Sequence, residues 1–265
     1  MKNGSVTIGN AQMTYAAFGR GERTLVVLPG LSDGLATVKG KALILSLPYR
    51  KYLKKYTVYM FSRKEPMPEG YTVEAMADDQ AAAMDALGIQ KACLLGVSQG
   101  GMIAQALAVR HPVRVEKLIL AVTAPNANDN VQEAVSRWIG MAERGDHEAL
   151  MTDTAERTYS DGYLRRNRWT FPLLTRFTRP KNYDRFLKNA RAILAFDARR
   201  DLSRIACPTL IIGGSEDRIV GRDAAGTLHQ AIAGSELFLY EGLGHGAYEE
   251  AGDFYDRALA FCQKR

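Results

Sequence analysis

The sequence is poor in the residues that build disulfide frameworks and metal sites. It contains 3 cysteines and 4 histidines among 265 residues. The cysteines, Cys93, Cys207 and Cys262, form an odd and widely separated set. Such a set favours neither a disulfide framework nor a cluster of metal ligands.

Long hydrophobic runs are also missing from the chain. No apolar run approaches the roughly 20 residues that a membrane-spanning helix needs. The first five residues are not followed by the apolar segment of a secretion signal. We therefore expect a soluble, cytoplasmic protein without a transmembrane segment. A length of 265 residues suits one α/β domain with an insertion.

Positive charge is concentrated in one part of the chain. The formal net charge is +6, and the stretch from Arg165 to Arg191 holds nine basic residues against one acid, Asp184. Such a stretch attracts anionic substrates, lipid surfaces or nucleic acid. It is more typical of the solvated face of helices that bury their other side. No nucleic-acid-binding motif is present, so we expect no nucleic-acid partner and keep an anionic small-molecule substrate as a hypothesis.

Short apolar runs alternate with helical patterns along most of the chain. The runs are continuously apolar, which is typical of parallel strands covered on both faces. Two strand-like stretches, 4–8 and 12–18, precede them and predict an antiparallel hairpin. The sequence therefore predicts an α/β fold with a mostly parallel sheet flanked by helices. The runs are Thr24–Leu28, Thr57–Phe61, Ala92–Leu95, Leu118–Val122, Thr209–Ile212 and Leu237–Tyr240, and the helical patterns are Val73–Leu87, Met102–Arg110, Asp223–Ala233 and Tyr248–Gln263.

Residues 125–206 break this alternation. They carry helical patterns and no convincing strand, which predicts a helical insertion between core segments 1–124 and 207–265. The insertion holds both tryptophans. Its large apolar residues are candidates to line a pocket, although each is also typical of a helical core; they are Trp138, Met141, Trp169, Phe171 and Phe177.

The pentad Gly96-Val97-Ser98-Gln99-Gly100 stands between an apolar strand and a helical pattern. A tight turn there brings the residues two before and two after Ser98 together, and only glycine lacks the Cβ that would clash. Ser98 is therefore predicted to be a nucleophile. The N–H of Gln99, free at the start of the helix, is placed to face an anion. The alternative is a structural glycine- and serine-rich turn, which the flanking strand and helix disfavour.

A serine nucleophile needs a general base to take its proton. His245 is the predicted base because it lies in the glycine-rich loop 242–246 between a strand and the last helix, and such loops carry catalytic groups. We expect His111 at a helix end, and His147 and His229 at the solvated surface.

The carboxylate that orients the base is expected in the loop after the 209–213 run. Glu216 and Asp217 both lie there. Asp217 is preferred because its shorter side chain suits a fixed hydrogen bond to the imidazole Nδ1–H. Glu216 is then expected to be a solvated loop acid.

Four segments together resemble the α/β-hydrolase superfamily over nearly the whole chain. The chain order Ser98, Asp217, His245 is that of this superfamily. The segments are 28–31 for the oxyanion loop, 96–101 for the nucleophile elbow, 215–220 for the acid loop and 244–246 for the histidine loop. The resemblance implies that the backbone N–H groups of Leu31 and Gln99 form the oxyanion hole, and that 125–206 is a cap over the serine.

Two segments depart from the pattern of many relatives. A His-Gly pair in the oxyanion loop is replaced by Pro29-Gly30-Leu31, and an Asp-x-Arg-Gly segment by Ser62-Arg63-Lys64. Backbone donors tolerate such changes, so the departures concern the subfamily and its substrate. We expect Lys64 to be a surface charge, while Arg63 is left between the pocket mouth and the surface.

The residues and the resemblance predict a serine hydrolase that needs no cofactor or metal. Its expected substrate is a small or medium acyl compound, first of all a carboxylic ester. The same machinery also serves lactones, thioesters and carbon–carbon bonds. A slow-turnover ligand receptor or scaffold on the same fold is the non-enzyme alternative, and turnover distinguishes it from an enzyme.

Overall fold

A single sheet lies at the centre of the computed structural model, which describes residues 1–167, 169, 175 and 179–264. Its strands are β1 (Lys2–Ile8), β2 (Ala11–Gly19), β3 (Arg23–Leu28), β4 (Tyr56–Phe61), β5 (Ala92–Val97), β6 (Val115–Ala121), β7 (Thr209–Gly214) and β8 (Glu236–Tyr240). They lie in the order β1-β2-β4-β3-β5-β6-β7-β8. β2 is antiparallel to β1 and β4, and the remaining pairs are parallel. The predicted α/β fold is thereby confirmed.

The continuous apolar runs are explained by cores on both faces of the sheet. All six residues of β5 are buried. Because side chains alternate along a strand, Leu94 packs into the core of one face while Cys93 and Leu95 pack into the other. A strand buried in this way needs apolar residues at every position.

Helices flank the sheet much as the patterns predict. Thr72 begins one of them by accepting a hydrogen bond from Ala75 N at 3.2 Å. The predicted helix 248–263 is wrong in one respect, since it is divided in two: Ala251 has extended backbone (ψ 119°), and Gly252 follows it. The helices of the core are α1 (Ala42–Leu45), α2 (Val73–Ala86), α3 (Gln99–Arg110), α8 (Ala224–Ala231), α9 (Ala247–Glu250) and α10 (Phe254–Gln263).

Between β6 and β7 the described residues form helices joined by loops. Its helices are α4 (Asp129–Glu143), α5 (His147–Thr158), α6 (Asp161–Asn167) and α7 (Asp184–Leu194). An isolated bridge between Asn126 and Asp197 joins the two ends of this segment. Trp138 and Met141 are buried, whereas Trp169 is exposed. The boundaries 125 and 206 stay a prediction, and Phe171, Phe177 and Arg168 lie outside the described residues.

The register of the sheet places the loops that carry the candidate residues at one edge. Leu28 lies beside Gly96, Gly96 beside Leu120, and Ala121 beside Ile212. The carboxyl ends of these parallel strands therefore share one edge, where α/β folds place their ligand sites. Within the described residues, no helix has both the length and the apolar character required to cross a membrane.

Candidate active site

Ser98 occupies a strained turn between β5 and α3. Its backbone has φ 54° and ψ −120°, a region that glycine favours and other residues avoid. A Cβ on Gly100 would lie 1.9 Å from the Leu28 carbonyl oxygen, and one on Gly96 would lie 2.4 Å from the Gly100 carbonyl oxygen. Both glycines are therefore required by close backbone contact, as the pentad predicts.

The end of strand β6 and the residues that follow it hold this turn from the side. Ser98 N donates to the Ala121 carbonyl at 2.9 Å, and the Thr123 hydroxyl donates to the Ser98 carbonyl at 2.7 Å. Both backbone polar groups of the strained residue are thus bonded. Fixed contacts of this kind are what allow a strained conformation to persist.

His245 reaches Ser98 from the loop between β8 and α9. Its Nε2 lies 2.9 Å from Ser98 Oγ, and its side chain is 8 % exposed. The loop is tied to the end of α5, because Gly246 N donates to the Thr158 carbonyl at 2.6 Å. A Cβ on Gly246 would lie 2.7 Å from the Tyr159 ring, so this close approach needs glycine.

Asp217 lies on the far side of the imidazole. Its Oδ2 is 2.8 Å from His245 Nδ1, while Oδ1 accepts hydrogen bonds from Ile219 N at 2.8 Å and Val220 N at 2.9 Å. An ionised carboxylate only accepts, so Nδ1 carries the proton and Nε2 is free to accept one from Ser98. Glu216 points elsewhere, since its exposed side chain pairs with Arg222 at 2.7 Å. The structure therefore brings together Ser98, His245 and Asp217 of the predicted residues.

The other three histidines lie away from this cluster. His111 ends α3 and its Nε2 is 2.7 Å from Asp78 Oδ1, and His229 is exposed. The expectation of a surface His147 is wrong: this residue is 4 % exposed and lies against Tyr183, with ring centroids 6.1 Å apart. Burial lowers its pKa, with the Arg179 cation adding to the effect.

The two residues predicted to form the oxyanion hole, Leu31 and Gln99, both lie next to the serine: Gln99 follows Ser98 in the chain, and Leu31 follows Gly30, which packs against Ser98. Leu31 begins a 3-10 turn directly after Gly30, where a Cβ would lie 3.2 Å from Ser98 Cβ. In the described part of the chain neither Leu31 N nor Gln99 N donates a hydrogen bond. Two unpaired donors beside a candidate nucleophile are the arrangement that an oxyanion requires.

The sequence did not decide whether Arg63 lies at the pocket mouth or on the surface. The structure buries Arg63 beside the loop of Leu31 and the side chain of Gln99. Its guanidinium is 4 % exposed, and Nη2 donates to the Pro29 carbonyl at 2.6 Å and to Gln99 Oε1 at 2.9 Å. Burial lowers the pKa of this guanidinium, and the Asp33 carboxylate 3.7 Å away opposes that change. Arg63 thus connects the loop of Leu31 with the side chain of Gln99.

Lys64, next to it, also departs from expectation. Its ammonium lies 2.8 Å from Asp79 Oδ2 with the side chain 19 % exposed, so it is a paired and largely covered charge. The one sequence feature that points to Arg63 and Lys64 is their position directly after strand β4. This position places both residues at the same sheet edge as Ser98. Their partners come from distant segments and leave no local pattern.

Helix α7 of the insertion is fastened to the same region. Arg185 donates to Asp33 Oδ2 at 2.6 Å and to Glu65 Oε2 at 2.7 Å, and Lys188 pairs with Glu69 at 2.7 Å. Gln99 Nε2 donates to the Asn189 carbonyl at 2.9 Å. Two cations of the basic stretch, Arg185 and Lys188, therefore hold the insertion on the core, whereas Arg165 and Arg166 are exposed.

The chain is similar in sequence to known proteins. A family model described as alpha/beta hydrolase fold matches residues 59–252. The 3-oxoadipate enol-lactonase 2 of Acinetobacter baylyi is 24% identical over 266 residues, covering 98% of this chain and 96% of that protein. The 2-hydroxy-6-oxononadienedioate/2-hydroxy-6-oxononatrienedioate hydrolase of Paraburkholderia xenovorans is 26% identical over 265 residues, covering 95% and 90%.

The fold is also found among solved structures. The crystal structure of the enol-lactonase from Burkholderia xenovorans has a TM-score of 0.85 and 24% identity, and the alignment covers 98% of this chain and 100% of that one. This likeness extends over the helical insertion as well as the sheet.

Proposed function

This chain belongs to the α/β-hydrolase fold family, and from that premise we propose that it is a serine hydrolase cleaving a small or medium carboxylic ester. One observation carries the proposal: a continuous chain of hydrogen bonds runs from Asp217 through His245 to Ser98, with distances of 2.8 and 2.9 Å. A base within this reach of a hydroxyl, itself oriented by a third group, is the geometry of an activated nucleophile.

The proposed reaction has two halves that use the same groups. Ser98 Oγ attacks the ester carbonyl while its proton passes to His245 Nε2, and Asp217 stabilises the resulting imidazolium. The imidazolium then protonates the leaving alcohol as the carbon–oxygen bond breaks, which leaves an acyl group on Ser98. Water attacks that acyl group, gives its proton to His245 and releases the acid. The hydroxyl of Ser98 is restored by the proton from His245.

The developing oxyanion is proposed to bind the backbone N–H groups of Leu31 and Gln99. Their free donors are fixed by the 3-10 turn and by the start of α3, so little reorganisation accompanies the reaction. The helical segment 125–206 is proposed to act as a cap that excludes water and selects the substrate.

A lactone is the second candidate substrate. Two similar proteins carry the name enol-lactonase, one in sequence and one in structure. A lactone is a cyclic ester, so attack by Ser98 and protonation by His245 proceed as above, and the leaving alcohol stays attached to the acyl chain. The same groups therefore serve both substrates, and turnover of each has to be measured.

The proposal is tested by turnover and by labelling of the nucleophile. The purified protein is assayed with p-nitrophenyl esters from acetate to dodecanoate and with lactones of matched size, and is then treated with a fluorophosphonate. We expect turnover of at least one series and a label on Ser98, located by peptide mapping. Labelling without turnover of any ester or lactone would favour the receptor alternative, and a protein that is neither labelled nor active would contradict the proposal.

Arg63 is expected to affect the rate more than substrate binding. Lysine keeps the charge near Asp33, but its shorter side chain does not bring the ammonium to the position of Arg63 Nη2, the one atom that donates to both the Pro29 carbonyl and Gln99 Oε1. Because small displacements of catalytic donors are costly, Arg63→Lys should lower kcat by about 10- to 100-fold with little change in KM. Steady-state kinetics check this, with the exposed Arg144→Lys as control. Unchanged kcat in Arg63→Lys would show that the oxyanion loop holds its position without this guanidinium.

The exposed cations of α6 are expected to attract an anionic substrate. Replacing Arg165 and Arg166 by glutamine is expected to raise KM for an ester ending in a carboxylate by about threefold, because a local positive potential concentrates anions. KM for a neutral ester of equal chain length should stay constant. Equal effects on both esters would remove the anionic preference. The third arginine of this group, Arg168, lies outside the described residues.

A further inference from the structure

The segment 39–55, between β3 and β4, carries an exposed surface. Its exposed residues recur every three to four positions as the pairs 39–40, 43–44, 47–48, 50–51 and 54–55. Turn hydrogen bonds follow the same path, from Leu45 N to the Lys41 carbonyl at 2.9 Å and from Tyr49 N to the Ser46 carbonyl at 3.1 Å. Exposed positions with this spacing lie along one side of a helical path. We call this side the exposed stripe.

The middle of the exposed stripe is apolar although it faces solvent. Leu43 is 65 % exposed, Ile44 69 % and Leu47 53 %. These are three of the seven strongly exposed large apolar side chains among the described residues, and they fall within five consecutive positions. Single exposed apolar residues are ordinary, but a contiguous group marks a surface that is covered by something else.

Both ends of the exposed stripe are basic. Lys39 precedes the apolar group, and Arg50, Lys51, Lys54 and Lys55 follow it. No acidic residue occurs in the sequence from 34 to 64. Among the described residues, only Lys51 of these five cations has a carboxylate within ion-pair distance, that of Asp256 at 2.7 Å on α10. The positive charge of the stripe is therefore largely uncompensated.

We propose that the exposed stripe docks the protein on the surface of an anionic lipid bilayer. Leu43, Ile44 and Leu47 enter the boundary between headgroups and acyl chains, while the lysines on either side reach lipid phosphates and carboxylates. Contact with the same stripe of a second copy of this chain would oppose like charges. Lysine is also depleted in protein–protein interfaces, so the composition favours a lipid surface over a protein partner.

Docking of this kind is peripheral and does not depend on the reaction proposed above. It needs both contributions, because a few apolar side chains or a few cations alone bind a bilayer weakly and reversibly. The resulting binding should be sensitive to anionic lipid and to salt, since the charges of the stripe are exposed and screened within a Debye length.

Vesicle co-sedimentation of the full chain tests the proposal. One set of vesicles contains phosphatidylcholine alone, and the other adds roughly 30 mol % phosphatidylserine. We expect binding to the second set at about 0.1 M salt, and at least about tenfold weaker binding at about 1 M, where the Debye length falls to about 3 Å. Equal binding to both vesicle types, or no binding to either, would overturn the proposal.

Two independent variants and one control locate the contact. The first variant replaces Leu43, Ile44 and Leu47 by serine, and the second replaces Arg50, Lys54 and Lys55 by glutamine. All six side chains are exposed, so we expect both variants to keep the fold. Thermal unfolding checks this. Each is expected to weaken vesicle binding by about tenfold or more. Val113→Ser, at an apolar position 77 % exposed outside the stripe, should bind like the wild type.

A different result for these variants would overturn the bilayer assignment. Light scattering that shows a dimer in the wild type and a monomer in the serine variant, without vesicle binding, would make the exposed stripe a contact between copies of this chain. Vesicle binding retained in both variants would place the lipid contact elsewhere.

Discussion

Ser98→Ala is expected to lower turnover of the preferred ester or lactone by about 10⁴-fold or more, because loss of the nucleophile of such a triad leaves only binding and oxyanion stabilisation. The hydroxyl makes one side-chain hydrogen bond among the described residues, to His245. Its removal should therefore change the free energy of unfolding by less than about 1 kcal/mol. Kinetics on freshly purified protein and thermal unfolding measure the two effects separately.

A second substitution at this position tests the backbone strain. Glycine accepts φ 54° and ψ −120° more readily than alanine, so Ser98→Gly should unfold at a higher temperature than Ser98→Ala, by an amount corresponding to about 1 kcal/mol. Both variants should be inactive. The exposed Ser203→Ala is the matched control and should keep wild-type turnover. Near-full activity of Ser98→Ala would refute the proposed nucleophile.

The parts of the site that follow chain-local rules were predictable from the sequence. The glycines around Ser98 are dictated by backbone contacts within one strand–turn–helix unit. The same unit leaves the N–H of Gln99 free. His245 and Asp217 also stand in short loops after apolar strands, and parallel strands place such loops at one edge of the sheet. Local pattern and topology together are sufficient to bring these side chains near each other.

The parts that depend on distant partners were not predictable. Arg63 is buried because Pro29, Gln99 and Asp33, which lie in other segments, accept or balance its charge. His147 is covered by Tyr183, 36 positions further along the chain. A charged or polar residue carries no sequence signal for burial when its compensation comes from elsewhere. Gly252 is a sequence signal for a break in the last helix. The helical pattern continues on both sides of this glycine, however, and so predicts one uninterrupted helix.

Asp217→Asn is expected to reduce turnover by about 10⁴-fold while leaving the arrangement of the site intact. Asparagine has almost the same shape, and its carbonyl oxygen can still accept hydrogen bonds from Ile219 N and Val220 N. Its amide group then faces His245 Nδ1 as a donor. Nδ1 then accepts this hydrogen bond, and the imidazole carries its proton on Nε2. Nε2 therefore cannot accept the proton of Ser98. The defect therefore lies in the tautomer, and kcat should fall while thermal stability changes little.

Glu216→Gln is the matched control for this substitution, because it removes a neighbouring carboxylate from the same loop. Its side chain pairs with Arg222 at the surface, and an exposed pair of this kind contributes only about 0–1 kcal/mol to stability. Turnover of Glu216→Gln should remain within about twofold of the wild type. Loss of activity in Glu216→Gln together with an active Asp217→Asn would transfer the orienting role to Glu216. If both variants kept full activity, the imidazole would need no carboxylate, and the role proposed for Asp217 would be wrong.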